Sequence, residues 1–192
     1  DLIESHFMKE EPRLGSQKFY KLNQARQKEG YFIYVPEGLA ISEPLEVFNW
    51  ISGKDSAIFP YSLIISGKGS EVSVADYFGS SDDQMGLVCG VSDLIAEEDS
   101  KLTYVRTQNL SENAHSIQLS NVMSYENSKV KNFSLNLGCE WLRHESVSRL
   151  LGEGSNSEMI SVSVPESSQE FDMRTLQLHE KPNTSSDLLY KN

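Results

Sequence analysis

A chain of 192 residues and 21.6 kDa has room for one sizeable domain and hardly for two. Apolar residues make up 38%, and 12 glycines come on top, which is enough to bury a core. Seventeen Lys and Arg against 28 Asp and Glu leave a formal charge of −11 and a pI near 4.8, which argues against a nucleic acid or an anionic membrane as partner, since both need a basic surface. No apolar run approaches the roughly 20 residues of a bilayer span, and the start does not look like a signal peptide. Cys89 and Cys139 lie 50 residues apart without a CxxC motif. That spacing fits a reducing compartment better than a disulfide-built secreted domain, so a cytoplasmic location is expected, or a plastid in a plant or alga. The chain begins at Asp1 and ends at Asn192 just after strand-like residues, so it reads as a piece of a longer protein.

Residues 1–30 read as a helical segment. A weak helical pattern from Asp1 to Glu11 stops at Pro12. A second helix is expected after Ser16 as N-cap, with Phe19, Leu22 and Ala25 or Arg26 on one face and Gly30 ending it. Residues 31–192 read as β structure, because the period changes to two. Tyr31, Ile33 and Val35 alternate before a Pro36-Glu37-Gly38 turn, and Leu45 and Val47 alternate before the turn Ser52-Gly53-Lys54-Asp55.

The strongest internal signal is a repeat. Gly69-Ser70, Asp99-Ser100, Asn127-Ser128 and Gly154-Ser155 each place a residue tolerant of left-handed backbone before a serine. The serine-to-serine steps are 30, 28 and 27; Ser42 lies 28 before the series and Ser185 lies 30 after it. Serine occurs 29 times in all, spread between short strands rather than gathered in one tract. Further apolar strands, Leu87–Ile95, Ile117–Met123, Val147–Leu151 and Leu176–Leu178, precede the corners. Each period of about 28 residues therefore holds two strands and two corners, the pattern of a β-solenoid whose stacked coils share one core. A β-sandwich also spaces strands and turns this way, without repeating its corner chemistry at one long period.

Candidate chemistry is sparse. Counted back from their corners, Cys89 and His144 share one register two coils apart, with Ile117 between them. Strand spacing puts them roughly 9–10 Å apart, too far to clamp one metal ion. Cys89 is expected in the core and His144 at the surface or a corner, while His115 lies two residues out of step on the same face. Cys139 is expected to pack near a turn. Gly67-Lys68-Gly69-Ser70 lacks the spacing of a phosphate loop, and Gly152-Glu153-Gly154-Ser155 is not a nucleophile elbow. Asp82-Asp83 and Glu97-Glu98-Asp99 read as solvated turns. Glycosylation triplets at Asn109, Asn132 and Asn183 carry little weight in a serine-rich chain. Arg143, His144, Arg149 and Arg174 form a local cationic group for an anionic partner. No catalytic, cofactor-binding or metal-ligating residue is assigned.

Several ordered stretches resemble the SufB/SufD family. They are Phe19-Tyr20-Lys21-Leu22-Asn23-Gln24-Ala25, Gly30 to Gly38, Glu43-Pro44-Leu45, Thr107-Gln108-Asn109-Leu110, Leu135-Asn136-Leu137-Gly138, Leu150 to Ser155, and Asp172-Met173-Arg174-Thr175 through His179, Pro182, Ser185 and Tyr190-Lys191. SufD is the better match of the two paralogues. The SufB-type Arg-rich strand and Cys-Thr-Ala-Pro segment have no counterpart after Pro60 or near Gly79-Ser80. The resemblance implies a right-handed parallel β-helix, truncated here before the family's last coils and C-terminal helices. It also implies a non-catalytic scaffold for iron–sulfur cluster assembly, without a cofactor of its own in this stretch, acting with a SufB-like paralogue and a SufC-like ATPase bound through the missing C-terminal segment. His179 matches a recurrent family histidine without an assigned role. A terminal coil with unpaired backbone is expected to favour self-association. The alternatives are a secreted β-helix polysaccharide lyase or esterase, and a generic solenoid interaction domain.

Overall fold

The computed structural model describes residues 2–53, 55–166 and 168–191. Asp1 of the expected first helix and Lys54 of the expected 52–55 turn lie outside the described residues. The chain is a parallel β-solenoid of about six turns with two short helices, and 57% of it is strand. The helices are α1 (Leu2–His6) and α2 (Gln17–Arg26).

Each coil gives one main strand to each of two sheets. The first sheet runs in the order β1 (Gly30–Val35), β4 (Tyr61–Ser66), β6 (Gly86–Ala96), β8 (Ala114–Ser124), β10 (Trp141–Leu150), β12 (Glu170–His179), and short β3 (Ser56–Ile58) also pairs with β6. The second sheet contains β2 (Leu45–Ile51), β5 (Glu71–Ser80), β7 (Lys101–Asn109), β9 (Lys129–Asn136), β11 (Asn156–Ser163) and β13 (Ser185–Lys191). All pairings are parallel, for instance Val91 with Leu119 and Val105 with Phe133. A sandwich is thereby excluded, because its sheets are antiparallel.

The corner chemistry forms a ladder. Gly38, Gly69, Asp99, Asn127, Gly154 and Asn183 all have φ between 53° and 72°, and their steps are 31, 30, 28, 27 and 29 residues. The N–H of each of the first four donates to a carbonyl of the next coil, as from Gly69 to Glu98 and Asn127 to Glu153. Ser100, Ser128 and Ser155 then close their own turns by donating Oγ to the carbonyl three residues back, at 2.6 to 2.8 Å. Two ends of the expected series shift. Asn183-Thr184 replaces Ser185, because Ser185 is already the first residue of β13. Gly38-Leu39 replaces Ser42, because Glu71 donates its N–H to Leu39 across the coils.

Inside the solenoid two apolar clusters flank the corners. One holds Ile64, Val74, Leu94, Leu102 and Val122; the other holds Ile51, Phe78, Val88, Leu110 and Leu142. The outward face of the first sheet is buried as well, since Met8, Phe19 and Tyr20 pack on Tyr61, Leu63, Val91, Leu119 and Met123. Double coverage explains why β6 and β8 are buried along nearly their whole length, on both faces.

The amino-terminal segment is held to that face by polar contacts the sequence did not announce. Ser16 precedes α2 but makes no side-chain cap; its Oγ donates to Glu145 Oε1 at 2.5 Å instead. The docked face of α2 is Tyr20 and Asn23 with half-buried Phe19, whereas Leu22 and Ala25 are exposed. The helix stops at Arg26, and Gly30 already opens β1, where a Cβ would fall on the carbonyl of Tyr61. Asn23 Nδ2 donates to the carbonyls of Pro60 at 2.9 Å and Cys89 at 2.7 Å, tying the helix to two coils. Asn23→Ala should cost about 1–2 kcal/mol through those lost bonds. Amide hydrogen exchange in residues 2–27 should then accelerate roughly tenfold while the corner amides keep their protection; uniform exchange rates would contradict this reading.

Candidate functional site

Between the two apolar clusters runs a buried polar belt. From the first sheet it takes the in-register column Ser62, Ser92, Ser120 and Ser146. From the second it takes Asp76, Arg106, Ser134 and Ser161, with Gln108, Asn136 and Ser163 alongside. Asp76 accepts from Tyr31 and Tyr104 hydroxyls, both at 2.7 Å, and from Asn49 Nδ2 at 2.6 Å. Burial still holds its carboxyl above the usual carboxylate range, against the pull of these donors and of Arg106. Arg106 gives Nη2 to Asn136 Oδ1 at 2.9 Å, while Nε and Nη1 have no protein acceptor. Downstream, Asn136 Nδ2 bonds Ser161 and Ser163, and Ser134 bonds Ser161. The belt is thus a fixed internal cation set among hydroxyls and amides.

His144 belongs to this interior, which corrects the expected surface or corner position. It is 3% exposed, and burial first, then the Arg106 charge, keep its imidazole neutral well below the ordinary histidine range. Nor does it share a register with Cys89. The cross-coil line from Cys89 runs through Ile117 to Arg143, and His144 aligns with Gln118 and Gly90. The cause is one extra residue at the Gly154 corner, where the N–H groups of both Leu151 and Gly152 donate to Ser124 O. A one-residue bulge sends every preceding side chain to the opposite face relative to a count made from the corner.

Cys89 is fully buried under α2, with Sγ against the Phe19 carbonyl at 3.4 Å, and burial pushes its thiol up to about 12. Cys139 sits in the turn before β10 with φ of 81°, takes Gln108 Nε2 on its sulfur at 3.2 Å, and is likewise pushed up to about 12 by burial. Both are protonated thiols rather than nucleophiles. His115 is exposed and pairs with Glu140 at 3.2 Å. His179 bridges the last corner, with Nδ1 at 2.7 Å from Thr184 Oγ1 and Nε2 at 2.9 Å from Ser186 Oγ. Among the described residues, no three His, Cys, Asp or Glu side chains are grouped to hold a metal ion.

The expected cationic group is dispersed and neutralised. Arg143 and Arg174 both bond Asp172, and Arg149 bonds Glu10 at 2.7 Å and Glu180 at 2.6 Å. Asp82-Asp83 and Glu97-Glu98-Asp99 lie at turns, with Asp83 and Asp99 in the left-handed region. Of the three triplets, Asn132 is buried in the interior and closed to glycosylation. A cleft of about 490 Å³ beyond the ends of β7, β9 and β11 is lined by Asp82, Asp83, Glu112 and Glu166 among others.

One titrating group links the helical segment to the sheet. Tyr61 hydroxyl accepts the Met8 N–H at 3.0 Å and donates to Asp93 Oδ2 at 2.7 Å, and Asn121 Nδ2 reaches Oδ1 at 2.8 Å. Burial raises the Asp93 carboxyl to about 6. The folded state therefore keeps a proton that the unfolded chain has lost, so this contribution is present at acid pH and fades as pH rises through about 6. Relative to Asp93→Asn, the wild type should lose about 1 kcal/mol between about pH 5.5 and about pH 8. Urea unfolding of both proteins across that range checks it, and a constant difference would refute it.

Comparison with known proteins agrees with this architecture. The family model described as the SufBD core domain of SUF system FeS cluster assembly matches residues 49–192. An iron–sulfur cluster assembly SufBD family protein of Staphylococcus saprophyticus is 28% identical over 180 residues, covering 91% of this chain and 38% of the relative. A protein of the same description from Staphylococcus aureus USA300 is 29% identical with the same coverage. The chain thus spans about two fifths of the length of these relatives. With the core match covering three quarters of its residues and a parallel solenoid beneath it, the chain belongs to the SufBD family of the SUF iron–sulfur cluster assembly system.

Proposed function

We propose that this chain is the core of a SufD-type subunit, a non-catalytic scaffold in iron–sulfur cluster assembly that works with a SufB-like paralogue and a SufC-like ATPase in the cytoplasm or a plastid. The match of the SufBD core to residues 49–192 carries the reading. The interior supports it: Cys89 and Cys139 are buried and protonated, so neither offers a thiolate to sulfur or iron. His144 is held neutral beside a buried guanidinium, without a carboxylate to orient it as a base. Iron–sulfur clusters are cargo of the assembled complex in this reading, and the solenoid supplies rigid surfaces for its neighbours.

The test is affinity capture of the tagged full-length parent protein from its native host. A SufB-like paralogue and an ABC-type ATPase should be retained together, and deletion of the gene should lower the activity of iron–sulfur enzymes. Capture of neither partner, with those activities unchanged, would overturn the proposal.

A further inference from the structure

A guanidinium sealed inside a protein has lost its hydration, and its charge has to be answered by a partner. Arg106 is 3% exposed and makes no ion pair with any described residue. Asp76 lies one coil before it in the same column but does not neutralise it directly. The Asp76 oxygens are taken by Tyr31, Tyr104 and Asn49, and burial draws that carboxyl toward its protonated form. Arg106 reaches into the next coil instead, where Nη2 donates to the neutral amide of Asn136. Nε and Nη1 are buried donors without an acceptor.

Two further donors belong to the same part of the belt. His144 Nδ1 is buried without a partner, and the ring is near enough for the Arg106 charge to oppose its protonation. Ser161 Oγ already accepts from Ser134 Oγ and Asn136 Nδ2, so its own hydroxyl proton is available to donate. The walls around these groups are small or polar. Gly90 and Gln118 precede His144 in its cross-coil line, Ser120 pairs in register with Ser146, and Ser134 lies between Arg106 and Ser161.

We propose that Arg106, His144 and Ser161 form an internal binding site for a small monovalent inorganic anion of the halide class. Arg106 Nε and Nη1, His144 Nδ1–H and the Ser161 hydroxyl are its donors. A water molecule takes the same hydrogen bonds, and would also serve the unpartnered acceptor Gln108 Oε1, but it brings no charge to the guanidinium. A single positive charge selects a monovalent ion, because a dianion would only replace one uncompensated charge by another. The site is closed on both sides by paired strands, so the ion enters as the coils stack and binds the native state alone. It therefore stabilises the fold by mass action.

Bromide is the probe. Crystals of the 192-residue chain, refolded and grown in sodium bromide, should give an anomalous bromine peak in contact with Arg106 Nε or Nη1. A water at that place without anomalous signal, or bromide at the outer surface only (an adventitious ion only), would overturn the proposal. Urea unfolding at constant ionic strength, with sodium bromide replacing sodium gluconate, supplies a second readout, since screening is then the same throughout. The folding equilibrium constant should rise about tenfold when bromide reaches about ten times its dissociation constant. Arg106→Met should abolish that rise. No rise in the wild type, or an equal rise in Arg106→Met, would also overturn the proposal. The diffraction experiment uses the unaltered chain and is independent of whether Arg106→Met folds.

Discussion

A single methyl group at position 152 is expected to cost about 3 kcal/mol or more of stability, while a much larger side chain at position 69 costs almost nothing. Both residues are glycines at the same edge of the solenoid, and local backbone conformation does not separate them in the expected way. Gly69 has φ of 62° and open space around its missing Cβ. The equivalent corners of later coils use Asp99, Asn127 and Asn183 at φ of 53° to 59°, so Gly69→Asn repeats a solution the chain already employs. It also lowers the entropy of the unfolded chain. Gly152 follows the one-residue bulge, and a Cβ there would fall on the backbone of Tyr125 and Glu126 one coil below. Backbone cannot rotate aside as a side chain can, so the fifth coil must lift from the fourth and give up ladder hydrogen bonds. Urea midpoints of Gly152→Ala and Gly69→Asn measure the contrast directly. A Gly152→Ala protein within about 1 kcal/mol of wild type would show that coil stacking tolerates what the geometry forbids.

Removal of the Asp76 carboxylate is the second large effect, expected at about 3–5 kcal/mol for Asp76→Ala. Three donors, one of them the fully buried Tyr104, converge on that buried group, and in its absence Tyr31 and Asn49 lose this acceptor, while Tyr104 keeps a 3.3 Å contact with Ser92. Arg106, its in-register neighbour in the next coil, loses the nearest buried anion while Nε and Nη1 already lack acceptors. Asp76→Asn should fall between, since it keeps an acceptor oxygen but removes the charge. Arg106→Met alone should be mild, because a buried cation is exchanged for an apolar chain of similar length. The two substitutions should therefore couple. Stability lost in Asp76→Ala should be partly regained in the Asp76→Ala/Arg106→Met double variant, by about 1 kcal/mol or more in a double-mutant cycle. Simple additivity would mean that the two charges do not sense each other across the belt.

These effects show where the sequence was readable. The corner residues Gly69, Asp99, Asn127 and Gly154 were visible because positive φ is a local demand that few residue types meet. The period-two runs were visible because side chains in a strand must alternate. The SufBD resemblance, drawn from ordered stretches along most of the chain, is matched by the core domain over residues 49–192. The site was less legible. Ser62, Ser92, Ser120 and Ser146 look like four scattered serines until parallel register stacks them into one column facing Asp76 and Arg106. Arg143 and Arg149 looked like free cations because Asp172, Glu10 and Glu180 reach them from other elements.

The sequence alone determined the solenoid, its coil length of about 28 residues and the residues that turn its corners, because each follows from preferences of a few neighbouring residues. The tertiary structure alone decided which way His144 points and which sheet face the helices cover. The first depends on one inserted residue at Leu151-Gly152, which changes no local preference yet inverts the facing of β10 against its corner. The second depends on Asn23 and Ser16 finding partners 37 to 129 residues away, and such pairings exist only once the coils are stacked.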